Sequence, residues 1–412
     1  MTYWLGREDS NLRMAESKSA ALPLGYAPKR RWRELSAFDA FAFPRLLNHT
    51  SAAKSTPRPG DAWQPLNIDT LGLMAIASDG SGSPQRKYDV MKRIPFGPTD
   101  LMVSPIGLGC MSMSGCYGVQ DDNECIATIH AALDLGINLL DTSSNYGEGH
   151  NQELIGKAIK GRRDQVVIHS KLGTVRRDGK AVSGAPDHIR ASTEGGLKRL
   201  NIDCLDVICI SRVDPNFPIE EQVAAMAQMV KEGKTRHIAI SKDATPDLLK
   251  RAWAVHPIVS LQDEYSLFVR EPENELLGAC KQHGMAFMAF APLGRGILAG
   301  LFRAATDIAK DDRRSKDSRY AKGNFEHNLT TVAKLERIAR EKEVPVATLA
   351  LAWVMQQSGR KGGAVIPIPS SKSRKHLREN AAAASVTLTD EDLARINAVC
   401  PPGAMAGASA VA

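Results

Sequence analysis

From Met91 onward the chain repeats one pattern: a short apolar run, then an amphipathic stretch of ten to sixteen residues. That rhythm predicts strands alternating with the helices that cover them, because strands buried on both faces read as near-continuous apolar runs. The predicted strands are Ile106–Gly109, Asn138–Asp141, Val166–Lys171, Cys204–Ser211, Arg236–Ser241, Val259–Gln262, Met285–Phe290 and Ala364–Pro367. Predicted helices between them include Asp121–Leu135, Pro186–Leu200, Ile219–Lys231 and Pro246–Val255. Eight such units in about 310 residues fit an α/β fold, a closed (β/α)8 TIM barrel. A doubly wound open sheet is the competing architecture. It would need a Gly-rich phosphate turn after an early strand, and no G-x-G-x-x-G occurs.

Before the first barrel strand, Lys92–Val103 carries two apolar patches around Gly97-Pro98-Thr99-Asp100, which predicts an N-terminal β-hairpin able to plug the barrel's N-terminal end. After strand seven, the polar stretch Phe302–Asn328 predicts a long functional loop on the active-site side. Residues 1–90 read differently. They hold three of the five tryptophans but no sustained period, and prolines break them at 23, 28, 44, 57, 59, 65 and 84. Three readings stand for them: a non-globular, disordered leader, a targeting segment, or sequence upstream of a true start at Met91. The division expected is thus a leader (1–90), the barrel (91–400) and a flexible Ala/Gly-rich tail (401–412).

Composition sets limits on function. The formal charge of +7 suits a phosphorylated cofactor, and no basic run with interleaved aromatics argues for nucleic acid. No run of eighteen apolar residues occurs, so no membrane-spanning helix is expected. The seven cysteines are odd in number, scattered, and without a C-x-x-C pair, which argues against a disulfide framework or a metal site. A reducing compartment, the cytoplasm, is the expectation. The sequons at Asn48 and Asn328 carry no weight without a secretory signal.

Catalytic groups of a barrel come from the C-terminal ends of its strands. Asp141 closes predicted strand two, Tyr146 lies in the loop after it, and Lys171 closes predicted strand three. Singly, each has a plain reading: an Asp that turns the chain, a packed loop Tyr, a Lys reaching water. Together they make a proton donor. A free phenol has a pKa near 10, too high for ready proton transfer at neutral pH. A nearby ammonium lowers it, and a carboxylate keeps that ammonium charged despite burial.

The segment Gly136-Ile-Asn-Leu-Leu-Asp-Thr-Ser-Ser-Asn-Tyr-Gly147, continuing to Asn151 and Glu153, resembles the signature of the aldo-keto reductase family. So do Lys171-Leu-Gly, Arg212-Val-Asp-Pro, Gly233-Lys-Thr-Arg-His-Ile-Ala-Ile-Ser241, Leu261-Gln-Asp-Glu-Tyr-Ser-Leu267, Ala291-Pro-Leu-Gly-Arg-Gly296 and Ile366-Pro. The branch resembled is the long-loop one related to potassium-channel β-subunit-like reductases. The likeness implies a barrel, an NADP(H) cofactor, a small-molecule carbonyl substrate and an Asp, Tyr, Lys, His tetrad, with Asp141, Tyr146 and Lys171 in the first three roles. The fourth position departs from the family: where it has His before Arg-Val-Asp-Pro, this chain has Ser211. Serine is shorter, neutral, and has one proton to give, so it would hold the carbonyl oxygen directly or through water. His169 lies on the face of Lys171, roughly 6–7 Å deeper, where it would tune the lysine or simply pack.

The resemblance also sets Ser241 and Gln262 against the nicotinamide carboxamide and Phe290 beneath its ring. Ala291, Pro292, Leu293, Gly294, Arg295 and Gly296 would wrap the pyrophosphate, with Arg295 supplying charge. Ser371 and Lys372 would meet a 2′-phosphate at the start of the last barrel helix, and Glu379 and Asn380 the adenine. A substrate pocket is expected near Tyr117, Phe217 and the loop after Phe302. Two functions follow: an NADPH-dependent reductase of an aldehyde or ketone, or a slowly turning NADP(H)-binding redox sensor, which Ser211 favours.

Overall fold

The computed structural model describes residues 91–177, 179–309 and 312–407; the expected leader (1–90) and the end of the tail (408–412) lie outside them. The hairpin comes first, β1 (Ile94–Pro95) pairing antiparallel with β2 (Met102–Val103). The barrel strands follow as β3 (Leu108–Gly109), β4 (Leu139–Ser143), β5 (Val167–Lys171), β8 (Leu205–Ile210), β9 (Thr235–Ser241), β10 (Ser260–Glu264), β11 (Ala286–Phe290) and β12 (Val365–Pro367). A small hairpin, β6 (Val175–Arg177) with β7 (Lys180–Val182), interrupts the series and was not anticipated. The eight barrel strands run parallel in chain order. The ring closes between its ends: Gly107 and Gly109 donate backbone N–H groups to Pro367 and Pro369 at 2.9 and 3.1 Å.

The helices are α1 (Asp122–Asp134), α2 (His150–Ala158), α3 (Pro186–Leu200), α4 (Ile219–Lys231), α5 (Pro246–Val255), α6 (Leu276–Gln282), α7 (Asn324–Glu341), α8 (Val346–Met355), α9 (Arg374–Ala382) and α10 (Asp390–Val399). Local chemistry sets several ends. The Asp121 carboxylate accepts from the Asn123 N–H at 2.8 Å and caps α1. Proline opens α3 and α5 at their first position, where no intrahelical N–H bond is forfeited. Asn201, at φ 53°, closes α3 in the left-handed conformation that asparagine tolerates.

Strand alternation sorts the core into two layers. On β4, β5 and β8, Leu139, Val167, Val207 and Cys209 point into the barrel, while Leu140, Ile168, Ile208 and Ile210 meet the helices. A one-residue slip would exchange the two sets, so burial on both faces fixes the register. Phe96, Leu101 and Val103 of the N-terminal hairpin join the inner layer and close the barrel's floor. That contact is tight. Gly97 sits at φ 64°, and a Cβ there would stand 2.1 Å from the Val259 carbonyl oxygen.

Residues 401–407 are tied to the barrel rather than loose. Asn328 donates to the Ala406 carbonyl at 3.0 Å and accepts from the Ala406 N–H at 2.9 Å, while His327 Nε2 lies 3.0 Å from the Ala404 carbonyl. Asn328 therefore serves as an internal clamp, fully buried.

Candidate active site

The β4–β5 register sets Asp141 beside His169 and Ser143 beside Lys171, with the Asp, His and Lys side chains all turned inward at the strands' C-terminal ends. Inside the barrel they form one hydrogen-bonded cluster. Lys171 Nζ lies 2.7 Å from Asp141 Oδ1 and 2.5 Å from Oδ2. His169 Nδ1 approaches Oδ1 at 3.1 Å, and Gln262 donates to it from β10 at 2.7 Å. One carboxylate oxygen thus gathers three donors and the other faces the ammonium alone. Tyr146, in the loop after β4, completes the group: Lys171 Nζ stands 5.1 Å from its ring centroid.

Electrostatics follow from burial of this cluster. Burial opposes both charges of the ion pair, yet mutual attraction prevails, holding Asp141 below the ordinary carboxylate value and Lys171 above the ordinary lysine value. His169 moves the other way. Burial lowers its value against the pull of Asp141, so it is a neutral ring whose Nδ1–H points at the carboxylate. Its second nitrogen faces the Ser260 hydroxyl at 3.5 Å.

The phenol departs from the sequence expectation. Burial pushes Tyr146 up to about 12, and the ammonium of Lys171 only moderates that rise, partly offset by Asp141. The cause is the neutral sum of the ion pair. An ammonium already matched by a carboxylate has little net field left to compensate desolvation.

Ser211, just past β8, reaches the pocket wall, but its hydroxyl donates to the Leu172 carbonyl at 2.6 Å. In this arrangement its single proton is directed at the backbone and not into the cavity.

The cluster forms the floor of a cavity of about 860 Å³ at the C-terminal mouth of the barrel. Of the residues singled out from sequence, Asp141, Tyr146, Lys171, Ser211, Ser241, Gln262, Phe290, Ala291, Pro292, Leu293, Arg295, Gly296, Ser371, Lys372, Glu379 and Asn380 all line it. Gly294 does not. It is buried at φ 57° with its Cα facing Phe268, and it turns the chain so that its neighbours reach the wall. Ser241 and Gln262 are paired across β9 and β10. Because the Gln262 amide nitrogen is turned to Asp141, its carbonyl is the group left for a carboxamide.

Several predicted cations hold protein groups as well. Lys372 donates to the Tyr117 and Val119 carbonyls at 2.6 and 2.5 Å, joining the loop before α1 to the segment before α9. Arg295 lies 3.5 Å from Asp317 and 4.0 Å from Glu264, and its carbonyl accepts from the Tyr320 hydroxyl at 2.9 Å. The long loop after β11 is thereby bound to the pocket rim. Arg314 from that loop stacks on Tyr117 and Phe302, 4.8 and 4.9 Å from their ring centroids. Tyr117 lines the cavity as expected, whereas Phe217 is absent from its wall.

His169, read from sequence as tuning Lys171 or simply packing, bonds the carboxylate that holds the lysine. One pocket position escaped sequence reasoning. Lys242, next to Ser241, lines the pocket with its Nζ 4.9 Å from the Phe290 ring centroid. The wall as a whole is cationic. Lys171, Arg212, Lys242, Arg295, Arg313, Arg314 and Lys372 stand against Asp141 and Glu379. Among the described residues no group of three or more His, Cys, Asp or Glu side chains could hold a metal ion, all seven cysteines are free, and no helix is long and apolar enough to cross a membrane.

Comparison with known proteins agrees with this geometry. The profile of the aldo/keto reductase family matches residues 105–400. The NADP(+) aldo-keto reductase yakc of Schizosaccharomyces pombe is 35% identical over 314 residues, 74% of this chain and 91% of the relative. Among solved structures, glycerol dehydrogenase from Gluconobacter oxydans superimposes with a TM-score of 0.68 at 30% identity, covering 75% of this chain and 95% of its own. An aldo/keto reductase from Klebsiella pneumoniae in complex with NADP and acetate gives 0.60 at 29%, covering 76% and 96%. The match spans every strand of the barrel from β3 to β12 and the residues of the cluster at the cavity floor, and the chain belongs to the aldo/keto reductase family.

Proposed function

We propose that this protein is an NADPH-dependent reductase that converts an aldehyde or ketone to the alcohol, with Tyr146 as the general acid. The observation that carries the proposal is the Asp141–Lys171 ion pair beside Tyr146 at the floor of a cavity with a cationic wall. The cavity fits a dinucleotide phosphate. It offers the Ser241–Gln262 pair for a carboxamide, the Phe290 ring for stacking, and the turn at Ala291–Gly296 for the pyrophosphate. Ala291 and Arg295 take left-handed backbone, φ 48° and 58°, to shape that turn. Ser371, Lys372, Glu379 and Asn380 line the same cavity and are available to the adenosine end.

Bound there, NADPH supplies the hydride. The protein's part is the proton. A phenol raised to about 12 is fully protonated at neutral pH and gives its proton only to an oxygen that is gaining charge. The phenolate left behind meets the Lys171 ammonium, whose charge Asp141 secures. Ser211 takes no part in that transfer, because its proton belongs to Leu172.

A second reading keeps a specific observation: with Ser211 turned to the backbone, only Tyr146 is left to orient a carbonyl. On that reading the barrel binds NADP(H), turns over slowly and reports redox state. NADPH titration of the full chain, followed by turnover with a panel of aldehydes for wild type and Ser211→His, separates the two. Turnover by the wild type supports the reductase. Tight binding with turnover only in Ser211→His supports the sensor, and failure to bind either nicotinamide cofactor refutes both. The same proposal takes residues 91–400 as the working unit and the cytoplasm as the compartment suited to seven free cysteines.

A further inference from the structure

Lys242 follows β9 directly after Ser241, and its backbone and that of Asp243 are both left-handed, at φ 54° and 55°. Two consecutive side-chain-bearing residues in that region are held only where the surrounding fold imposes it. Here the Lys242 N–H donates to the Gln262 carbonyl at 3.1 Å, which fixes the turn. The turn sends the lysine across β10 and sets its ammonium over the Phe290 ring, 4.9 Å from the centroid. Asp243, the carboxylate beside it in sequence, turns instead to Arg212 at 3.3 Å. No carboxylate lies within ion-pair distance of Lys242 among the described residues.

The charged groups around Lys242 come from every side: Arg212 after β8, Arg295 after β11, Asp263 and Glu264 on β10, and Asp243 on its own turn. Glu264 pairs with Arg319 at 2.7 Å and Asp243 with Arg212, while Asp263 accepts the Glu264 N–H and attracts Lys242 from beyond ion-pair distance. Burial, reinforced by Arg212 and Arg295, lowers the ammonium to about 8, so it is charged at neutral pH and neutral in mild base.

We propose that Lys242 discriminates between the redox states of the cofactor, its ammonium disfavouring the positively charged oxidised nicotinamide ring relative to the neutral reduced one. The inference rests on the reading above that Phe290 is the platform for that ring. An aromatic face can hold one cation in register, and Lys242 already occupies it. A neutral ring can displace the ammonium sideways without opposing its charge. A cationic ring is repelled by an ammonium whose backbone is anchored beside the platform, worth on the order of tenfold in relative affinity in a half-exposed site. The pocket would therefore take up reduced cofactor and shed the oxidised form, favouring reduction over alcohol oxidation.

Fluorescence titration of the full chain with NADPH and NADP+ tests this without turnover. It compares wild type, Lys242→Met and Lys242→Arg at about pH 6.5 and about pH 9.5, either side of the lysine's value of about 8. The expected result is a preference for NADPH in wild type at the lower pH that shrinks on the order of tenfold in Lys242→Met. It persists in Lys242→Arg at both pH values, and in wild type it falls toward the Met level at the higher pH. A Met variant with an unchanged ratio of dissociation constants, both cofactors still binding, overturns the inference and leaves the reductase reading standing. A wild type that binds neither cofactor overturns both. Should Lys242→Met fail to fold, the wild-type and Arg pH series decide alone, and equal pH dependence in the two overturns the inference.

Discussion

Replacing Asp141 by Asn keeps the shape of the side chain and removes its charge, and the structure says where that charge is needed. Oδ1 receives Lys171, His169 and Gln262, while Oδ2 meets only the lysine at 2.5 Å. An amide that keeps its oxygen at the three-donor position must set its NH2 group against the Lys171 ammonium. Turning it over would lose three bonds instead of one. Either way a cation 7% exposed is left without a counter-charge. Breaking a buried pair in this manner costs about 3–5 kcal/mol. The sign with pH is distinctive. In wild type the raised Lys171 contributes stability present at and below the ordinary lysine value of about 10.4 and lost as pH rises through its still higher folded value. In Asp141→Asn, burial acts unopposed and the folded value falls below the unfolded one, so stability climbs as pH rises toward about 10.4. Urea unfolding from about pH 6 to about pH 9 should show wild type nearly flat at this site and the variant rising. A loss under about 1 kcal/mol with no added slope would refute the claim that the floor of the pocket is held by a buried charge pair.

Three other outcomes follow from the same geometry. Ser211→Ala should lower turnover less than about threefold while removing one hydrogen bond to Leu172, about 1 kcal/mol by chemical denaturation, since the hydroxyl is already committed. His169→Leu should leave the ring's volume largely filled but strip one donor from Asp141, costing about 1–3 kcal/mol. It should also abolish the His169 share of acid sensitivity: a histidine with a lowered folded value contributes stability that is lost as pH falls below its unfolded value of about 6.5, and unfolding curves at about pH 5 and 7.5 would show that share gone. Gly97→Ala should destabilise the barrel by about 2–4 kcal/mol in thermal or urea unfolding, because a left-handed turn and a 2.1 Å approach to Val259 both oppose a Cβ.

The barrel was legible because its strands are covered on both faces. Leu205–Ile210 is buried throughout, and such a run has no polar interruptions to blur it. The first strand was read as starting at Ile106, but only Leu108 and Gly109 join the ladder with β4, since the Ile106 carbonyl accepts the Ser104 hydroxyl and the Gly107 N–H goes to Pro367. The β6–β7 hairpin was invisible: three residues a side carry too little period to register. At the site, Asp141, Tyr146 and Lys171 were legible from their spacing and their resemblance to a family signature. What stayed hidden depends on long-range geometry. Nothing local reveals that Ser211 spends its proton on Leu172, or that Lys372 holds carbonyls more than 250 residues away. Lys242 was overlooked because its position above Phe290 arises from a backbone turn that no motif announces.

The central claim is that Tyr146 delivers the proton, and it is tested most directly by Tyr146→Phe with cofactor affinity and turnover measured on the same sample. The substitution removes one oxygen and keeps the ring beside Lys171. The account predicts NADPH binding within about twofold of wild type and a fall in kcat of about 10²–10⁴, the usual worth of a positioned general acid. Unchanged kcat in a variant that binds NADPH normally would contradict it.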